Sequence, residues 1–147
     1  MANYCCAIRT NYFRVKDPEE FREFMKTVSA CEDNVALWEE TDSNGVLRFG
    51  FGCYSSILGV PALDEEDEDY EYYEYDYDEF VTGLSERVAE DDAIIIMESG
   101  NEKLRYVIGT ALVITSKETE YFDVSVVAAN RAAEVLGNPD WQTRVSY

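Results

Sequence analysis

Asp17-Pro18-Glu19-Glu20-Phe21 recurs in altered form as Asp76-Tyr77-Asp78-Glu79-Phe80, and the chain stays in step with itself downstream of both. After Phe21 come Met25, Val28 and Ala30; after Phe80 come Leu84, Val88 and Ala89. Apolar residues at this spacing share one face of a helix. An Asp at the head of each run suits a helix N-terminus, where its carboxylate accepts hydrogen bonds from the first backbone N–H groups. Helices are therefore expected over about 18–30 and 77–90. Next, Glu32-Asp33-Asn34-Val35-Ala36-Leu37-Trp38-Glu39 aligns with Asp91-Asp92-Ala93-Ile94-Ile95-Ile96-Met97-Glu98, each an apolar run between acids that reads as a strand. Ser43-Asn44-Gly45 then matches Ser99-Gly100-Asn101 as a turn. Each leads into a second strand, Val46 to Gly52 and Lys103 to Gly109. Asn-Gly between apolar runs is a strong hairpin signal.

Each half is thus a helix followed by a hairpin. A strand at 4–15, with Tyr4, Cys6, Ile8, Tyr12 and Arg14 roughly alternating, precedes the first, and the tyrosine-rich stretch before the second helix takes the corresponding strand position. Val124 to Leu136 forms a third helix, stopped by Gly137-Asn138-Pro139. The tail from Asp140 to Tyr147 is expected to dock through Trp141 and Tyr147. The sum is an α+β domain: an antiparallel sheet with helices on one face, built from a pseudo-repeated βαββ unit plus a C-terminal helix. Chance recurrence of a common motif is the alternative to duplication, and it predicts the same elements. At 147 residues the chain suits one domain. Its parts are a first half at 4–56, an acidic linker at 57–69, a second half at 70–116, and the C-terminal helix and tail at 117–147.

Charge narrows the function. There are 31 Asp+Glu against 12 Lys+Arg, no His, and a net charge of −19. Such a chain is repelled by nucleic-acid backbones and anionic membranes, so neither is expected as a direct partner. Hydrophobic residues at 46% and aromatics at 14% nevertheless make a folding composition. Met1-Ala2-Asn3-Tyr4-Cys5-Cys6 lacks the basic and apolar regions of a signal peptide, and no stretch is apolar over a membrane-spanning length, which points to the cytoplasm. There Cys5, Cys6, Cys31 and Cys53 are expected as buried, reduced thiols.

The most unusual segment is Asp64-Glu65-Glu66-Asp67-Glu68-Asp69-Tyr70-Glu71-Tyr72-Tyr73-Glu74-Tyr75-Asp76-Tyr77-Asp78-Glu79, eleven acids and five tyrosines in sixteen residues. Like charges this dense oppose folding unless they are solvated, ion-bound or held against a basic partner. Extended, the segment would reach about 50 Å at ~3.3 Å per residue; as a helix, about 24 Å. Either spacing lies within a factor of about two of a nucleic-acid backbone, with one charge per ~1.7 Å of duplex axis and ~3.4 Å per strand. The tyrosines supply stiff, amphipathic contact area. On a strand, Tyr73, Tyr75 and Tyr77 would share one face and Glu74, Asp76 and Asp78 the other. The bland readings are a solvated acidic loop and a charged edge strand that resists aggregation. A calcium site is a further alternative, although the run lacks the glycine of an EF-hand loop. Acids also crowd the first helix (Asp17, Glu19, Glu20, Glu23), its end (Glu32, Asp33) and the hairpin (Glu39, Glu40, Asp42).

Catalytic chemistry is hard to place. Without histidine the commonest general base and zinc ligand is missing. Adjacent Cys5 and Cys6 point to opposite faces of a strand and do not chelate one metal together. Gly50-Phe51-Gly52 sits in a strand and not before a helix, so it reads as close backbone packing against an aromatic and not as a dinucleotide fingerprint. Cys53 has no base or positive neighbour in sequence to activate it. No carboxylate pair stands out for glycoside chemistry. The expectation is a non-enzyme with no catalytic residue, metal or cofactor.

The opening Asn3-Tyr4-Cys5-Cys6-Ala7-Ile8-Arg9-Thr10-Asn11-Tyr12-Phe13 and the close Gly137-Asn138-Pro139-Asp140-Trp141-Gln142-Thr143-Arg144 resemble small uncharacterised proteins of phages and mobile elements of Gram-positive bacteria. In size and charge the chain also resembles the anti-restriction and anti-CRISPR inhibitors that imitate nucleic acid. That second resemblance is of physical type, and no motif carries over. It implies a basic nucleic-acid-binding protein as partner, such as a CRISPR or restriction nuclease, with residues 64–79 as the partner-binding region. The alternatives are an adaptor that binds through exposed aromatics or a sheet edge, and a metal-binding protein. The sequence leaves strand order and oligomeric state open.

Overall fold

In a computed structural model, residues 4–62 and 74–145 are described. At the centre lies β1 (Cys5–Thr10), whose residues alternate between exposed and buried along its length. One hairpin flanks it on each side. β3 (Ala36–Thr41) and β4 (Leu47–Cys53) join through β4, and β7 (Ile94–Glu102) and β8 (Tyr106–Ile114) through β7, all antiparallel. An edge strand, β9 (Thr119–Asp123), completes a six-stranded sheet of order β3-β4-β1-β7-β8-β9. A second sheet, of order β2-β5-β6, holds β2 (Ser29–Ala30), β5 (Ile57–Pro61) and β6 (Tyr75–Asp76).

Helices α1 (Pro18–Lys26) and α2 (Tyr77–Arg87) begin where the sequence places them. The Asp17 carboxylate accepts from the Glu19 and Glu20 N–H groups at 3.1 and 3.2 Å, and that of Asp76 from Glu79 at 3.0 Å. Both helices cover the sheet face that carries Ile8, Phe49 and Phe51. Phe21 meets Phe49 with centroids 4.9 Å apart, Phe80 meets Phe51 at 6.0 Å, and Phe13 stands edge-on to Phe21 and Phe51. These five rings are fully buried and form the centre of the core. Between the helices Phe24 stacks on Phe80, and a Cβ at Gly83 would come within 2.5 Å of the Phe24 ring, so glycine lets α1 and α2 close. Arg87 lies over the Phe24 ring, 4.1 Å from its centroid, and binds Glu20 at 2.8 Å, so the two helices run antiparallel.

The expected α+β class and the antiparallel sheet hold, with corrections to detail. α1 stops at Lys26 because Ser29 and Ala30 leave to pair with β5, and α2 stops at Arg87 because Val88 bridges to Val15. The expected first strand ends at Thr10, beyond which only Phe13 and Val15 make isolated bridges. The turn expected at Ser99-Gly100-Asn101 lies instead at 103–105: β7 runs on to Glu102, and Gly100 sits within it because the Tyr4 ring lies over its Cα. Residues 57–61, read as part of an acidic linker, form a strand. The strand before α2 does not enter the main sheet as its counterpart β1 does; β6 pairs with β5, and β1 serves both hairpins. β9 was not expected. Gly52 packs as the sequence suggests, since its Cβ would lie 2.5 Å from the Ile8 carbonyl and 3.0 Å from the Trp38 ring. Cys6 and Cys53 are buried, but Cys5 and Cys31 are exposed, Cys5 because the alternation of β1 turns it outward.

The third helix, α3 (Val124–Leu136), has the expected bounds, with Asp123 capping Ser125 at 2.9 Å and Gly137 left-handed at φ 66°. Ser125, Ala129, Ala132 and Ala133 are half-buried, and no residue of α3 is buried. Trp141, half-buried, lines a cleft with Ser125 and Ala129, while Tyr147 lies outside the described residues. No described helix is long and apolar enough to cross a membrane.

Candidate partner-binding surface

The acidic segment grows out of the β5–β6 ribbon. Val60 pairs with Asp76 and Pro61 with Tyr75, and the Ala62 N–H donates to the Glu74 carbonyl at 2.8 Å. Gly59, at φ +121°, makes this ribbon possible, because a Cβ there would run into the Asp76 carbonyl. Ala62 and Glu74, the described residues on either side of 63–73, therefore lie side by side on the core. Asp64, Glu65, Glu66, Asp67, Glu68, Asp69, Tyr70, Glu71, Tyr72 and Tyr73 lie outside the described residues.

The remainder of the segment changes element at Asp76. Tyr75 and Asp76 are strand and Tyr77 opens α2, so 64–79 is not one straight strand or helix, and the alternation expected of Tyr75 and Tyr77 ends there. Glu74, Asp78 and Glu79 are exposed, and Asp76 is half-buried with one oxygen in the cap. Asp78 and Glu79 also sit in the first turn, where the exposed N–H groups of the helix favour negative charge. Tyr77 leans on Phe80 with centroids 5.8 Å apart and remains 39% exposed.

Most of the fold's cations are held elsewhere. Arg14 binds Asp91 at 2.9 Å, Arg22 binds Glu39 at 2.6 Å, Lys26 binds Glu23 at 2.7 Å, Arg48 binds Asp42 at 2.7 Å, Arg87 binds Glu20 at 2.8 Å and Arg131 binds Glu134 at 2.9 Å. Hydrogen bonding to Arg22 holds the Glu39 carboxyl below its usual range, and Arg48, with the Val46 N–H, does the same for Asp42. Arg9 lies over the Trp38 ring at 4.8 Å. None of these pairs involves Glu74, Asp76, Asp78 or Glu79. The acids that crowd the hairpin and first helix are thus partly neutralised, whereas no described cation pairs with Glu74, Asp76, Asp78 or Glu79.

Sequence reasoning missed a groove beside that end. α1 and α2 cover the inner sheet face over β4 and β1 and over Ile94, Ile96 and Ile114 at one end of β7 and β8, but leave it open beyond, around Glu98, Leu112 and Tyr121. The open part encloses about 540 Å³ between Tyr77 and Val81 of α2, Ile96 and Glu98 of β7, Leu112 of β8 and Tyr121 of β9. Glu98 is half-buried and accepts from the Tyr4 hydroxyl at 2.7 Å. Burial and this carboxylate push the Tyr4 phenol well above its ordinary value. Tyr77 is also raised, by burial first and then by Glu98, Tyr121 and Asp78. No spacing in the sequence marks this site, because Glu98 reads simply as the acid that ends a strand. Among the described residues no three His, Cys, Asp or Glu side chains gather as metal ligands.

A second exposed surface is apolar. On α3, Val124, Val126, Val127, Val135 and Leu136 are each more than half exposed, and on β9 Phe122, on the face opposite the groove, is 38% exposed. No family model, curated protein or solved structure matches the chain.

Proposed function

We propose that this protein is a non-enzymatic inhibitor whose carboxylates, centred on residues 64–79, occupy the Lys/Arg-lined nucleic-acid channel of a partner, a host-defence nuclease of the CRISPR or restriction type. The observation that carries the reading is the ribbon closed by Ala62 and Glu74. A spacer between two halves would have its flanking residues apart; here Ala62 and Glu74, which flank the most acidic stretch, pair with each other on the core, next to the first-turn acids of α2. Carboxylates facing arginines form short, charge-assisted hydrogen bonds, and long-range attraction speeds encounter at low salt. The mechanism is competition with nucleic acid.

The test is direct. Neutralising Asp67, Asp69, Glu71, Glu74, Asp76 and Asp78 to Asn or Gln should abolish partner binding, and binding by the native chain should weaken steeply between low and physiological salt. Unchanged binding by the neutralised chain contradicts the proposal. The exposed apolar side of α3 favours a second reading, an adaptor that binds through apolar contacts. Its affinity would be nearly independent of salt.

A further inference from the structure

We propose that the groove between α2 and β9 is a receptor for an arginine side chain of the partner. The inference deepens the proposed function and rests on its reading of the partner as a basic protein. The chemistry of the walls selects the ligand. Tyr77 and Tyr121 offer aromatic rings on either side of the groove, one 39% and the other 64% exposed. Glu98 and Asp78 contribute carboxylates, and no described Lys or Arg side chain pairs with either of them. The Tyr4 hydroxyl occupies Oε2 of Glu98 at 2.7 Å and fixes the carboxylate in place, which leaves Oε1 for a ligand. The rest of the lining, Ile96 and Leu112 among it, is apolar.

A planar cation on a long aliphatic stem satisfies all of this. Guanidinium stacks on aromatic faces and forks onto carboxylates, and it is less strongly hydrated than ammonium. Its stem lies along apolar wall while its head reaches the charge. A lysine gains the charge contact but loses the stacking and the fork. An uncharged apolar side chain leaves a half-buried carboxylate facing it without a counter-charge, which is unfavourable. Charge complementarity thus commits the groove to arginine. The same insertion would seat a partner's arginine within reach of the anionic end of the segment at Asp78.

The experiment titrates N-acetyl-arginine amide into the full chain, followed by two-dimensional amide NMR, with the lysine and leucine analogues run in parallel. Saturable shifts at Tyr77, Glu98, Leu112 and Tyr121 are expected for the arginine compound, several-fold weaker binding for lysine, and none for leucine. Glu98→Gln should weaken binding at least about tenfold while keeping the folded spectrum, because the amide oxygen can still accept from Tyr4. Tyr121→Ala, on an exposed edge, should weaken it similarly. Shifts confined to the acidic segment, equal binding of leucine, or no loss in Glu98→Gln overturn the proposal. A chain with Asp67, Asp69, Glu71, Glu74 and Asp76 neutralised and the groove's Asp78 kept separates the two ideas. It should still bind the arginine compound, so loss of partner binding by that variant with groove binding intact supports both, and loss of groove binding as well overturns the groove as an independent receptor.

Discussion

Asp76 has two roles that a single pair of substitutions pulls apart. Its carboxylate caps α2 through Glu79, and it belongs to the charged segment. Asn caps a helix as well as Asp does, whereas Ala costs about 1 kcal/mol. Asp76→Ala should therefore lower stability in chemical denaturation by about that amount and Asp76→Asn by almost nothing, while both weaken partner binding. At the other end of the pH scale Tyr4 is informative. Its folded-state pKa is raised above the ordinary 10.0 by burial and Glu98, and that of Tyr77 is raised too, chiefly by burial. Their contribution is complete below about pH 10 and is lost as pH rises through the folded-state values, because the unfolded chain ionises first. The denaturation midpoint should hold up to about pH 10 and fall as pH rises further, and Tyr4→Phe should flatten part of that fall. Residue identities of this kind are partly legible in sequence. The capping Asp residues announce themselves by position, but the Tyr4–Glu98 contact joins residues 94 apart in the chain and carries no local signal.

Among the elements, those with strong local determinants were legible: α3 in full, the starts of α1 and α2, and both hairpins. Where tertiary contacts decide, the sequence misleads. Gly100 resembles a turn residue, yet it lies in β7 under the Tyr4 ring. Ile57–Pro61 adjoins the acids and so reads as linker, but it is drawn into a sheet with β2 and β6. β9, short and mostly exposed, lacks the burial pattern that reveals a strand. The groove was invisible because it is made by what the helices fail to cover. α3 carries its own prediction. Since Val127 and Val135 are 52% and 71% exposed, Val127→Glu with Val135→Glu should change the melting temperature by no more than a few degrees. The mimicry account further predicts unchanged partner binding in this double variant, and its loss, measured by calorimetric titration, would favour the adaptor.

At the scale of the whole molecule, a net charge of −19 makes the folded state self-repelling. Going from about 10 to 150 mM salt shortens the screening length from roughly 30 to 8 Å. The melting temperature should therefore rise with salt by a few degrees, the scale of ~1 kcal/mol at this size, while affinity for a basic partner falls. A chain stabilised by salt and a complex weakened by it are two consequences of one charge distribution. The central claim, that these carboxylates take the place of phosphates, is tested most directly by capturing the partner from a bacterial host lysate on the immobilised full chain and washing with duplex DNA at constant ionic strength. The account predicts that DNA releases the captured protein in a concentration-dependent way and that bait lacking the six segment charges captures none of it; retention of the partner at saturating DNA, or equal capture by the neutralised bait, would contradict it.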